Sequence, residues 1–136
     1  RVSSNLTVFA VRLILYSVGK SMRHYNSLKN SREFGNVYRC GKSFANKYLV
    51  MYVLEKTDNE NRLGISVSKK VGNSVVRHRI TRLIRESYRL HQAELKQGYD
   101  IVVVARVAAK GHGYRDIERA FLHLAGLHHI EKKMIV

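Results

Sequence analysis

Leu63-Gly64-Ile65-Ser66-Val67-Ser68 alternates apolar and small residues, whereas Ser74-Val75-Val76-Arg77-His78-Arg79-Ile80-Thr81-Arg82-Leu83-Ile84-Arg85-Glu86 repeats at helical spacing. Between them, Lys69-Lys70-Val71-Gly72-Asn73 interrupts both patterns. The change of period from two to 3.6 residues marks a strand that passes through a turn into a helix. The strand carries one apolar face and one face of small residues. The helix is expected from Ser74 to about Lys96. Val76, Ile80, Leu83, Ile84, Ser87, His91 and Leu95 fall within about 120° of one another on its wheel, and Gly98 closes it.

Upstream, Asn30 followed by Glu33 resembles a capping box, and Gly41 is a plausible residue just past a helix end. Phe34, Val37 and Tyr38 lie at i, i+3 and i+4, so residues 31–40 are expected to form a short amphipathic helix. Ala45 to Lys56 is rich in strand formers, with Leu49, Met51 and Val53 on one face and Tyr48, Val50, Tyr52 and Leu54 on the other. This strand and the 63–68 strand are expected to pair as an antiparallel hairpin. Downstream, Tyr99 to Ala105 is a continuous apolar run of the kind buried on both faces. Gly111 and Gly113 mark a loop, and Tyr114 to Leu127 forms a last helix with Ile117, Phe121 and Leu124 inward. The order α-β-β-α-β-α predicts an α+β fold, an α/β sandwich with helices on a small mixed sheet.

Composition bounds the function. A chain of 136 residues with 45% hydrophobic residues has the length and the core of one domain. It contains no Pro, against about seven at average usage, and no Gly/Ser-rich linker. The net charge of +15 costs the compact state self-repulsion and suits a polyanionic partner, nucleic acid first and an anionic membrane surface second. Cys40 is the only cysteine, which excludes an internal disulfide or a CxxC knuckle and fits a reducing, cytoplasmic setting.

Residues 1–21 differ from the rest. Val8 to Val18 is mostly apolar but is interrupted by Arg12, and about eleven residues are too few to cross a bilayer. Met22, the first methionine, is expected to be the native start, or else residues 1–21 are an extension outside the fold, with residues 22–136 as the single domain. Setting it aside removes Arg1, Arg12 and Lys20 and no acid, so the basic balance persists.

The charge concentrates between Lys69 and Arg89, where Glu86 is the only acid among Lys69, Lys70, Arg77, Arg79, Arg82, Arg85 and Arg89. Arg82, Arg85 and Arg89 follow an i, i+3, i+7 spacing opposite the apolar stripe. A solvated helix face usually mixes signs, because like charges at i, i+3 and i+4 repel. A line of guanidinium groups matches bidentate phosphate recognition. Aromatic pairs accompany it: Phe34 with Tyr38 on the first helix, and Tyr48 with Tyr52 on a strand face. Exposed rings at such spacing can stack unpaired bases; the alternative is that they are core. The chain has no P-loop, HExxH or GxSxG. His128 and His129 are adjacent and point apart on a helix, so no catalytic residue and no protein metal site is expected.

Residues 62–86, with Ser68-Lys69-Lys70-Val71-Gly72-Asn73 leading into Arg77-His78-Arg79-Ile80-Thr81-Arg82-Leu83-Ile84-Arg85, resemble the signature of the bacterial ribonuclease P protein component. His78 departs from that signature, which usually has Asn there. The resemblance extends over roughly residues 27–125. It implies a protein subunit whose RNA partner carries the active site and the catalytic Mg²⁺, and which promotes removal of the 5′ leader from precursor tRNA. It also implies that Lys69, Lys70, Asn73, Arg77, Arg79, Arg82, Arg85 and Arg89 meet the RNA subunit. Phe34, Tyr38 and Tyr52 would line a cleft for the leader, with Asn46, Lys47, Ser66 and Ser68 nearby. A left-handed β-α-β crossover, as in a ribosomal-protein domain, is implied as well. Rival readings are a purely structural RNA-binding protein, a DNA-binding protein and a membrane-surface protein; the resemblance implies neither DNA nor membrane as partner.

Overall fold

A computed structural model describes residues 25–132. The expectation for residues 1–21 lies outside the described residues. Eight elements follow in chain order: β1 (Asn26–Ser27), α1 (Ser31–Cys40), β2 (Lys42–Ala45), β3 (Leu49–Glu55), β4 (Arg62–Ser66), α2 (Ser74–His91), β5 (Tyr99–Ala105) and α3 (Tyr114–Leu127). The strands form one mixed sheet in the order β1-β4-β5-β3-β2. β4 runs parallel to β5 and is joined to it through α2, while β3 is antiparallel to both β5 and β2.

The capping signals hold locally. Asn30 Oδ1 accepts from Glu33 N at 3.0 Å, and Glu33 Oε1 accepts from Lys29 N, so two free N–H groups at the start of α1 are satisfied. Gly41 N donates to Val37 O at 2.9 Å and ends the helix. Gly41 has extended backbone, and its reason is space: a Cβ there would fall 2.7 Å from Val37 O.

The helices cover the sheet from two sides. On one side α2 and α3 bury Ile80, Ile84, Tyr88, Ile117, Phe121 and Leu124 against Leu49, Met51, Ile101 and Val103. Burial of each such side chain stabilises by roughly 1.5–3 kcal/mol. On the other side α1 places Val37 against Val102, with Leu28 beside them. β5 therefore contributes apolar side chains to both cores, as its unbroken hydrophobic run predicts.

Three expectations need correction. β3 and β4 are not a hairpin, because β5 lies between them and hydrogen-bonds to both. A strand apolar on both faces gains most at the centre of the sheet, and β5, buried along most of its length, takes that place. α2 ends at His91 rather than near Lys96; a 3-10 turn, Gln92–Glu94, follows and still delivers Leu95 to the core. The strand expected from Ala45 to Lys56 is β3, which begins at Leu49, and an additional strand, β2, precedes it at the sheet edge. Every residue of β2 is exposed, so no alternation marked it.

Candidate nucleic-acid interface

α2 presents its cations from a fixed start. Asn73 Oδ1 accepts from Val76 N at 3.0 Å, capping the helix. Gly72 lies so close to Val76 that a Cβ would meet its Cγ1 at 2.8 Å. Lys69, Lys70, His78, Arg79 and Arg82 are exposed. Arg77 Nε donates to Gly72 O at 3.2 Å, Arg79 Nη1 to His112 O at 3.0 Å, and Arg85 Nε to Tyr25 Oη at 3.0 Å. These bonds to neutral oxygens orient the guanidinium groups without cancelling their charge. Arg89 is set apart: its side chain is 14% exposed and pairs with Glu86 at 3.2 Å. Tyr88, which the periodicity did not assign to the apolar stripe, is buried beside it.

The aromatic residues meet on the face of the sheet that α1 covers. Phe34 and Tyr38 have ring centroids 6.4 Å apart, and Tyr38 meets Tyr52 edge-on at 4.9 Å. Tyr38 is 39% exposed, while Phe34 and Tyr52 are half-buried. The register explains the floor beneath them. Tyr52 faces Ser43 on one side and Val102 on the other, and Val102 faces Gly64. The next row is Ala45, Val50, Val104 and Ser66. The rings thus stand along one wall of a shallow apolar cleft whose floor is small on the β4 side. Gly64 is required there, since a Cβ would fall 2.6 Å from the Phe34 ring. The alternation of Gly64 and Ser66 with apolar residues is therefore the sequence trace of the cleft floor.

Ser66 lies on that floor, and Ser68 is exposed beyond the strand end. Asn46 and Lys47 stand elsewhere. The Asn46 side chain ties the β2–β3 turn to α3: Oδ1 accepts from Tyr48 N and Leu49 N, and Nδ2 donates to Ala120 O at 2.9 Å. Lys47 lies over the Tyr48 ring, 5.5 Å from its centroid.

Two charged networks were not legible in the sequence. Arg62 binds both oxygens of Asp100, Nε at 2.9 Å and Nη2 at 2.8 Å, and its Nη1 reaches Glu33 at 2.8 Å. Lys56 adds a contact of 3.1 Å to Asp100. Burial pushes the Asp100 carboxyl up, but Arg62 and Lys56 outweigh it and hold the group below its usual range. Hydrogen bonding to Asp100 likewise holds the Arg62 guanidinium charged, above its ordinary value. The network ties α1, through Glu33, to the paired starts of β4 and β5. The second network centres on His91, which is 1% exposed, with Glu118 2.6 Å from Nε2 and Glu94 3.0 Å from Nδ1. It joins the end of α2 to α3. His91 sits at a core position of the helical wheel, which is why its period reads as apolar.

His128 Nε2 donates to Met51 O at 2.9 Å, and burial lowers its pKa. His129 adopts a left-handed conformation, φ 58°. Both histidines lie past the end of α3, so the helical spacing expected of the pair does not apply to them. Among the described residues no helix is long and apolar enough to cross a membrane.

Comparison with known proteins gives one result by three routes. The family model for Ribonuclease P matches residues 22–128. A ribonuclease P protein component of Lachnoclostridium phytofermentans is 67% identical over 104 residues, 76% of this chain and 90% of the relative. One from Clostridium botulinum is 52% identical over 100 residues, 73% and 90% of the two chains. The RNase P protein of Staphylococcus aureus superposes with a TM-score of 0.74 at 34% identity, over 80% of this chain and all of that one. That of Thermotoga maritima gives 0.69 at 29%, over 79% and 99%. The family match over residues 22–128, the identity to these relatives and the shared fold lead to one conclusion: the chain belongs to the ribonuclease P family, as a protein component of that tRNA-processing endoribonuclease.

Proposed function

We propose that this chain binds the catalytic RNA of ribonuclease P through α2 and the single-stranded 5′ leader of precursor tRNA through the aromatic cleft, promoting endonucleolytic release of the leader. The observation that carries this reading is the Phe34–Tyr38–Tyr52 wall over a floor of small side chains. Partly exposed rings above a smooth floor suit unpaired bases, at roughly 1–3 kcal/mol per stacked base. A protein that only braces a folded RNA has no need of such a platform.

The two surfaces do different work. Lys69, Lys70, Asn73, Arg77, Arg79, Arg82 and Arg85 lie along the turn and one side of α2, spaced to meet successive phosphates. Phe34, Tyr38 and Tyr52, with Ser66 and Ser68 at the open end, take the leader. The Mg²⁺ that activates the hydrolytic water belongs in this reading to the RNA subunit. Glu33 and Asp100 are paired with Arg62, and Asp100 with Lys56 as well. The chain's own part is binding and positioning, in the cytoplasm, where precursor tRNA is made.

The test mixes the protein with a transcribed bacterial ribonuclease P RNA and follows precursor tRNA cleavage at low Mg²⁺. Leader release that needs both components is expected. RNA binding without any stimulation of cleavage would refute the proposal and favour a structural RNA-binding role.

A further inference from the structure

The β2–β3 turn and α3 enclose an open groove of about 330 Å³, lined by Asn46, Lys47, Tyr48, Asp116, Arg119 and His123. It lies away from the aromatic cleft, beside α3. Its wall is built rather than loose. Asn46 Nδ2 donates to His123 Nδ1 at 3.1 Å as well as to Ala120 O, and Arg106 Nη1 donates to Asn46 O at 2.8 Å. The His123 side chain is exposed on this wall.

The groove is also continuous with α2. Arg79 Nη1 donates to His112 O at 3.0 Å, His112 Nδ1 lies 2.9 Å from Asp116, and Asp116 accepts from Arg119 Nη2 at 3.3 Å. Asp116 is the only acid among the lining residues; it pairs with Arg119, and hydrogen bonding to His112 leads in holding its carboxyl below the usual range. Lys47 and Arg119 are exposed, and Arg106 adds charge behind the turn.

We propose that this groove is a second phosphodiester-backbone contact, gripping a strand of the same catalytic RNA that continues past the Arg79 end of α2. The inference rests on the RNA-binding reading of α2 and extends it around the molecule. A strand seated on Arg79 would need only to follow the His112 loop to bring its next phosphates between Lys47 and Arg119. Charge selects RNA over a protein partner here, because exposed Lys47 and Arg119 flank the groove and Arg106 lies behind it, with Asp116 the one acid among the lining residues.

The experiment measures binding of the whole chain to a transcribed ribonuclease P RNA over a series of KCl concentrations. It compares Lys47→Gln/Arg119→Gln with Arg82→Ala on α2 and with Lys96→Gln, an exposed lysine near the other end of α3. The double variant is expected to lower the log–log salt slope by about 1.4–1.8, two contacts at roughly 0.7–0.9 each, and Lys96→Gln to leave it unchanged. An unchanged slope in the double variant, with a fall in Arg82→Ala, overturns the groove and leaves α2 standing. A fall in Lys96→Gln as large as that per groove residue overturns it too, since net charge alone would then explain the loss. No effect from Arg82→Ala removes the reading of α2 on which the groove depends.

Discussion

Replacing Phe34 isolates the leader cleft from the rest of the molecule. The ring touches the sheet at Gly64, stands 6.4 Å from Tyr38 and packs against the small core of Leu28, Val37 and Val102. Phe34→Ala removes a stacking surface worth roughly 1–3 kcal/mol per base. At 1.4 kcal/mol per tenfold, precursor tRNA affinity should fall by about 5- to 150-fold. Mature tRNA, which has no leader, should bind as before. Because Phe34 is half-buried, part of any loss could come from a loosened α1, and Phe34→Leu separates the two effects. Leucine refills most of the volume above Gly64 but offers no π face, so it should restore the melting temperature while keeping most of the affinity loss. The assay is equilibrium binding of the protein–RNA complex to matched precursor and mature tRNAs, with thermal unfolding of the free protein alongside. Equal losses for the two tRNAs, or full recovery of affinity in Phe34→Leu, would refute the stacking argument.

Three more outcomes follow from the same geometry. Arg79→Ala with Arg82→Ala should reduce the salt slope for binding the RNA subunit by about 1.4–1.8, read from titrations in KCl, and an unchanged slope would dismiss α2 as a phosphate contact. Gly64→Ala places a Cβ where the Phe34 ring now lies; it should cost about 1–3 kcal/mol in urea unfolding and weaken precursor tRNA more than mature tRNA. Arg62→Met strips the main partner from Asp100 and should cost about 2–3 kcal/mol at pH 7, the low end for a broken buried pair because Arg62 is partly exposed and Lys56 remains. The Asp100 carboxyl is held below its ordinary value of 3.8, so its contribution is complete above that pH and is lost as pH falls through the folded value. Wild type should therefore lose stability steeply below about pH 4, and Asp100→Asn should flatten that part of the curve; identical acid limbs would contradict the ion-pair assignment.

Much of this protein is written locally. Asn30 with Glu33 started α1, Asn73 started α2 after the Gly72 break, and the Tyr99–Ala105 run gave β5 its full length. Those signals depend on a residue and neighbours within four positions, so the chain carries them before it folds. The arginine line of α2 was legible for the same reason: helical spacing alone puts Arg82 opposite Ile80 and Ile84. The strand order was not legible. That β5 inserts between β3 and β4 depends on which strands best bury both faces, a comparison across the whole sheet.

The same division runs through the candidate site. The sequence by itself determined which residues are cationic or aromatic and which share a face of their own helix or strand. Only the tertiary structure decided what those faces meet. Packing of α1 across β3 and β5 brought Tyr38 to Tyr52 and set Phe34 on Gly64; Arg62, 38 residues from Asp100, found its carboxylate because β4 and β5 pair in parallel. Packing also withdrew Asn46 from the cleft and turned it onto α3, because its amide satisfies the turn and the Ala120 carbonyl together. Local patterns are set by spacing along the chain, whereas contacts between distant residues exist only once burial of the shared core has chosen one arrangement of the strands.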